Sequence, residues 1–452
     1  MMKYRYRNDD EMKDSGVEWL GKIPKGWKVN KIKHYFNDVV EKNYSDDVEL
    51  LSLYTHIGVK PQKDLEARGN KAQTVIEYKK VKQGDIVVNK MLAWMGAMAL
   101  SEYEGVISPA YNIYRKIKQE TNTKYYHYLF RTKRFANECY KKGWGIMLMR
   151  WTTTPERFKN IFIPFSDQEQ QKIASFLDKK TAEFDTIIEK KQSLITKLTE
   201  AKKSLISEVV TGKKQVIPPP FDKGEWKLRD RSDDEMKDSG VEWLGKIPVE
   251  WAVSKLRYLG FTKNGISAGS DYFGSGYPFV SYGDVYKDIE LPTEVKGLAK
   301  STIEDQKNYS IEDGDVLFTR TSETIEEVGF SSTCMKTIEK STFAGFLIRF
   351  RPIKNKLLKG FSKYYFSSSI HRSYFVKNMN LVTRASLSQE LLKGLYVILP
   401  NLQEQQLIVN FLDEKTVKID STIAKVKLQI EKLKEAKQSL ISEVVTGKIE
   451  VL

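Results

Sequence analysis

The chain contains itself twice. Residues 9–24 read DDEMKDSGVEWLGKIP, and the same sixteen letters return unaltered at 233–248, 224 positions later. A second pair joins 168–213 (QEQQKIASFLDKKTAEFDTIIEKKQSLITKLTEAKKSLISEVVTGK) to 403–448 (QEQQLIVNFLDEKTVKIDSTIAKVKLQIEKLKEAKQSLISEVVTGK) at a constant offset of 235, with 29 of 46 positions identical. Two copies of one large unit exclude a short-period solenoid and require two similar bodies. Between the matched ends, roughly 28–160 and 252–396, the copies have diverged far more. The repeated part is frame; the part that differs is free to read two different things.

Faint echoes survive inside the diverged stretches. QGDIVVNKM (83–91) parallels DGDVLFTRT (313–321), each a Gly-Asp turn entering a β-rich run. AYNIYR (110–115) parallels AGFLIR (344–349), both strand-like and ending in Arg. TKYYHYLFRTKRFANECYKK (123–142) and LLKGFSKYYFSSSIHRSYFVKN (357–378) carry helical patterning. Each half therefore reads as an α/β globular domain followed by a long helix. The expected segments are a lead-in (1–27), a first domain (28–164), a central helix (165–213), a Pro-rich linker with the repeated lead-in (214–251), a second domain (252–400) and a C-terminal helix (401–452).

Both helices show a heptad. In the second, Ile419, Val426, Leu433 and Leu440 fall seven apart, with Ile423, Ile430 and Val444 on the interleaved row. In the first, Phe184, Leu198 and Leu205 share that frame with Ile188, Ile195 and Val209, and Lys191 interrupts it. Such a seam buries itself against another helix as a coiled coil. The sibling helix is the expected partner, paired antiparallel, which gives the chain a pseudo-two-fold internal duplication.

Seventy-four Lys+Arg against 59 Asp+Glu leave a net charge of +15, which favours an anionic partner, nucleic acid first. Two cysteines, Cys139 and Cys334, exclude a disulfide framework and point to a reducing cytoplasm. No apolar run reaches the ~18 residues of a membrane span; AWMGAMAL (93–100) is too short.

Catalytic constellations are not evident. TGKK (211–214) lacks the upstream glycine of a phosphate loop, and FGSGYP (273–278) lacks the third glycine of a dinucleotide fingerprint. IPPPF (217–221) is similar to the Pro-Pro motif of amino-methyltransferases but lacks its polar first residue. His34, His56, His127 and His371 have no metal-ligand spacing. Binding features are richer. Trp144, Arg150, Trp151 and Thr153 in the first half, and Arg384 with Ser386 in the second, occupy equivalent places at the domain exits. Arg320, Thr321 and Ser322 follow a predicted strand, with Asn89, Lys90 and Trp94 as first-half counterparts. Arginine, lysine and hydroxyl side chains suit phosphates and base edges, and aromatic rings suit bases.

WLGKIPKGW (19–27) and WLGKIPVEW (243–251), GDVLFTRT (314–321), RASLSQELLKGLYVILP (384–400), LQEQQLIVNFLDEKTVKID (402–420) and KQSLISEVVTGK (437–448) together resemble a Type I restriction–modification specificity subunit over essentially the whole chain. The resemblance implies a non-catalytic protein whose two target-recognition domains each read one half of a split, asymmetric site in double-stranded DNA. It implies two methyltransferase subunits, bringing S-adenosylmethionine for adenine N6 methylation, and two restriction subunits using ATP and Mg2+. Two other classes stay open on the residues alone: a self-contained methyltransferase or nuclease with an unrecognised active site, and a coiled-coil protein scaffold.

Overall fold

The structure, a computed structural model, describes residues 3–55, 57–64, 74–146, 151–220, 224–322, 328–378 and 385–452. The chain divides into two compact units, residues 1–192 with 427–452, and residues 193–426. The first domain therefore shares its unit with the C-terminal end of the chain.

Each unit is built on a four-stranded antiparallel sheet. In the first, the order is Met98–Leu100, Ile86–Asn89, Tyr111–Lys116, Phe36–Val39. In the second it is Ser331–Thr333, Val316–Thr319, Leu347–Pro352, Gly260–Asn264, which is the same topology. The predicted helical patches form Thr123–Phe130 and Lys133–Lys142 in one unit, Lys359–Ser367 and Arg372–Asn378 in the other. Asn122 and Thr132 cap the first two by accepting from Tyr125 N and Phe135 N. Aromatic rings fill the cores, with Tyr126, Phe130, Phe135 and Phe158 packed edge and face in the first.

The Gly-Asp turns form as expected, with Gly84 at φ 92° and Gly314 at φ 91°, backbone that favours glycine. The aspartate that follows each glycine is fully buried and clamped by arginine. Arg115 donates to both Asp85 oxygens at 2.8 Å, and Arg351 to both Asp315 oxygens at 2.7 Å. Lys82 N and Glu312 N donate to the same carboxylates at 2.8 and 2.7 Å. Ile86 faces Tyr114 and Val316 faces Phe350, so Arg115 corresponds to Arg351. The parallel drawn between AYNIYR and AGFLIR, which matches Arg115 to Arg349, is thus two residues out of register. A side-chain period of 2 keeps inward residues inward under that slip, which is why the pattern conceals it.

The letter-for-letter repeat has a packing cause. In each lead-in a short hairpin (Met12–Asp14 with Lys22–Pro24; Met236–Asp238 with Lys246–Pro248) presents a tryptophan to a helix start. Trp27 Nε1 and Arg7 Nη2 donate to Glu169 at 2.9 and 2.8 Å; Trp251 Nε1 and Arg231 Nη2 donate to Glu404 at 2.7 Å each. The same lead-in closes on a helix end. A Cβ added at Gly447 would lie 2.4 Å from Pro24, and one at Gly212 would lie 2.4 Å from Pro248. The two repeated segments therefore touch each other within each unit, and a change in one must be met by a change in the other.

Strand Tyr4–Tyr6 pairs antiparallel with Ile449–Val451, so chain start and chain end form one ribbon in the first unit. Its counterpart in the second unit is Lys214–Ile217 with Lys227–Asp230, inside the stretch read as a linker.

The two long helices run over Gln170–Val210 and Leu402–Val445. From 417 to 439 the residues that are not exposed are Ile419, Ile423, Val426, Ile430, Leu433 and Lys437, alternating four and three apart. Leu440 and Val444 continue the seam, and Phe184, Ile188, Ile195, Leu198, Leu205 and Val209 line the first helix in the same register. Lys191 occupies a seam position and reaches out to donate to Gln429 Oε1 at 2.7 Å. In the first unit Lys437 holds both Asp185 oxygens at 2.7 Å; as the position rises from 185 to 191 its partner falls from 437 to 429, which is antiparallel. In the second unit Lys202 holds Asp420 at 2.8 and 2.6 Å, the same pair carried over by the offset of 235. These pairs sit at the helix surface and set register more than stability. Replacing both Asp185 and Asp420 by lysine should lower the unfolding free energy by about 1 kcal/mol in all. Adding Lys437→Asp and Lys202→Asp should restore it, read as thermal midpoints; no recovery would show that the pairs do not meet.

Candidate nucleic-acid interface

In each unit the strand that follows the Gly-Asp turn is followed at once by a cation, and the exit of the domain folds back to hold it. The Lys90 carbonyl accepts from Thr153 N at 2.9 Å, and the Arg320 carbonyl accepts from Leu387 N at 2.7 Å. Two segments more than sixty residues apart in sequence thus share one surface, and Lys90 and Arg320 occupy corresponding places on it.

In the first unit Asn89 Oδ1 accepts from Met91 N at 3.1 Å, closing a turn that presents Lys90 and Trp94. Trp94, Tyr140 and Trp151 form a row of rings, with centroids 6.1 Å apart for the first pair and 4.8 Å for the stacked second pair. Each indole is anchored by its nitrogen, Trp94 to the Met91 carbonyl at 3.0 Å and Trp151 to the Tyr140 carbonyl at 3.1 Å. Trp144 pairs backbone to backbone with Thr152 and leaves 58% of its surface exposed. Thr153 is different: it is buried, and its hydroxyl donates to the Cys139 carbonyl at 3.1 Å. It is a strut under the surface, not a contact on it.

In the second unit Thr321 pairs with Ser386 and Ser322 with Ala385 in a two-residue antiparallel ribbon, which brings the strand end and the domain exit together. Arg320 Nη1 donates to the Gly345 carbonyl at 3.4 Å, while its buried Nε has no hydrogen-bond partner among the described residues. Ser386 is exposed. Arg150 and Arg384 lie outside the described residues, as does the Ser322 side chain. The residue that sequence reasoning missed is Tyr140, the middle ring of the row. Its signal was available, an aromatic four residues before Trp144 on a predicted amphipathic helix, but it reads equally well as core.

The surface so assembled offers a cation, hydroxyls and, in the first unit, ring faces: groups for phosphate oxygens, base edges and base planes. Among the described residues no group of His, Cys, Asp and Glu could hold a metal ion, and no helix is long and apolar enough to cross a membrane.

The family described as the Type I restriction modification DNA specificity domain matches this chain twice, over residues 54–197 and 248–432. The chain belongs to that family. The first matched stretch takes in three of the four strands of its sheet and the second all four, each with part of one long helix, so the internal repeat is a repeat of the family's domain. A specificity subunit assigned to the type I restriction enzyme MjaX of Methanocaldococcus jannaschii is 28% identical over 208 residues, 45% of this chain and 47% of that protein. The type I restriction enzyme EcoKI specificity subunit of Escherichia coli K12 is 25% identical over 216 residues, 46% of each chain. The chain spans about half the length of the curated relatives it matches. A chain solved in work on complex assembly and conformational transition of the type I R-M system shares the fold, with TM-score 0.68 at 14% identity, over 94% of this chain and 99% of that one.

Proposed function

We propose that this specificity-family protein reads a bipartite, asymmetric site in double-stranded DNA for a type I restriction–modification complex, one half-site per domain. The observation that carries this is the corresponding placement of Lys90 and Arg320, each just past the end of the corresponding strand and each held by its domain exit, amid otherwise diverged neighbours. A frame kept constant with its reading surface varied is what independent recognition of two unlike half-sites requires. Family membership and a net charge of +15 support the same reading. Chemistry belongs to partners: two methyltransferase subunits with S-adenosylmethionine for adenine N6 methylation, and two restriction subunits with ATP and Mg2+. The protein itself is a non-catalytic cytoplasmic component. On the reading surface we place Asn89, Lys90, Trp94, Trp144 and Trp151 in the first domain and Arg320, Thr321, Ser322 and Ser386 in the second, with Arg150 and Arg384 at the matching exits.

The test is the methylated motif in cells that express this chain with its methyltransferase. Arg320→Ala should relax or abolish discrimination in one half-site and leave the other intact, a loss of about 1–3 kcal/mol if the guanidinium meets a base edge. Lys90→Ala should act on the other half-site alone. A single substitution that altered both halves would defeat the two-reader scheme, and methyl transfer by the purified chain alone would defeat its non-catalytic role.

A further inference from the structure

The second unit holds a cavity of about 430 Å³ between the helix Tyr282–Lys287, the strand start at Gly329–Ser331 and the end of the helix Lys359–Ser367. The first unit provides an internal comparison. Tyr128 and Tyr364 are counterparts, each donating its hydroxyl to a helix aspartate, Asp178 at 2.8 Å and Asp413 at 2.6 Å. Three residues on from each stand Arg131 and Ser367. Arg131 fills its place, with its guanidinium donating to the Met98 carbonyl at 3.2 Å and to the Thr55 carbonyl at 2.8 Å. Met98 faces Val88 as Ser331 faces Phe318, so Ser331 is the counterpart of Met98. In the second unit Ser367 and Ser331 therefore line an opening where the sister domain has an arginine.

The lining has a definite chemistry. Buried Ile206, Val285 and Phe366 form the apolar part. Tyr286 and Phe330, 44% and 38% exposed, stand edge to face with centroids 5.3 Å apart. Arg372 is engaged, donating to the Val328 carbonyl and lying over the Phe330 ring; among the described lining residues Lys203 and Lys287 then oppose one carboxylate, Asp288, so the charge favours an anion. His371 is buried in the wall, with no hydrogen-bond partner for Nδ1 among the described residues. Aromatic faces, serine hydroxyls, excess positive charge and a volume within the ~300–1,000 Å³ of ordinary ligand pockets describe a host for a planar heterocycle carrying phosphate.

We propose that this cavity is a nucleotide site, with the base against Tyr286 and Phe330 and the phosphate at Lys203 and Lys287. A free nucleotide and a nucleotide unstacked from a DNA strand present the same chemistry. The assignment is separate from the reading of half-sites and stands or falls without it.

The decisive variant is Ser367→Arg, which fills the opening as Arg131 fills its counterpart and so should fold. Calorimetric titration of the full chain with dAMP should detect binding, weakened at least tenfold in Ser367→Arg with no fall in thermal midpoint. Lys287→Glu, at the exposed rim, should weaken binding comparably and guards against misfolding of the first variant. Single-stranded oligodeoxyadenylate separates the sources. Oligonucleotide binding that is lost in Ser367→Arg and displaced by dAMP assigns the site to a strand nucleotide; dAMP binding that the oligonucleotide does not displace assigns it to a free one. If the parent chain takes up neither probe at this site, or if folded Ser367→Arg and Lys287→Glu both bind as the parent does, the cavity is not a nucleotide site.

Discussion

Asp315→Ala should destabilise the second unit by about 3–5 kcal/mol, and Asp85→Ala should do the same to the first. Both carboxylates are about 1% exposed, and each accepts two bonds from one arginine and one from a backbone N–H. Truncation removes all three acceptor contacts at once. Arg115 retains Glu41 and Arg351 retains Glu312, which places the loss toward the lower end of that range. Asparagine at either position keeps an acceptor for the backbone N–H but loses the charge, and should cost about half as much. Hydrogen exchange reads each unit separately: Asp315→Ala should speed exchange in strands Val316–Thr319 and Leu347–Pro352 and leave Ile86–Asn89 protected. A loss below about 1 kcal/mol would mean that these ion pairs are retained for something other than folding.

The frame of this protein was written plainly in its sequence, and the proposed reading surface was not. The heptad rows were legible because a helix pair allows one period only, and every hydrophobic residue assigned to the seam is shielded. Lys191 looked like an interruption; its long side chain leaves the seam to reach Gln429, a solution that a hydrophobic pattern does not encode. The correspondence of Arg115 with Arg351 was hidden because it depends on loop lengths that differ between the halves. Asp85 and Asp315 are 230 apart, whereas Arg115 and Arg351 are 236 apart. Thr153 read as a contact because threonine near tryptophan and arginine suits DNA; burial against Cys139 is a tertiary fact. The pairing of Tyr4–Tyr6 with Ile449–Val451 joins residues some 445 apart, and nothing local announces it. Family membership, by contrast, was legible in the repeated motifs together with GDVLFTRT and RASLSQELLKGLYVILP, short stretches that are recognised without knowing what they pack against.

Acid should weaken both units well before the carboxylates titrate, through one histidine in each. His127 keeps an edge of exposed surface, but its Nδ1 accepts from Leu100 N at 3.0 Å, and a proton there would destroy that bond. Burial and the nearby charges of Arg131 and Lys124 lower its pKa to about 3, with Asp178 opposing them. His371 is buried beside Arg372, and desolvation with that neighbouring charge lowers its pKa likewise to about 3. An unfolded histidine titrates near 6.5. Between the two values the unfolded chain binds a proton that the folded chain refuses, so the stabilisation is complete above about pH 6.5 and declines as pH falls toward 3. The slope approaches about 1.4 kcal/mol per pH unit for each histidine, so going from pH 6.5 to 5 should cost roughly 2 kcal/mol per unit of the protein. His127→Gln should flatten the decline in the first unit and leave it intact in the second, and His371→Gln should do the reverse. Hydrogen exchange at several pH values, with rates corrected for intrinsic exchange, separates the two. A decline unchanged by either substitution would place the acid sensitivity elsewhere, and would mean that the Nδ1 of His127 is not held unprotonated by Leu100.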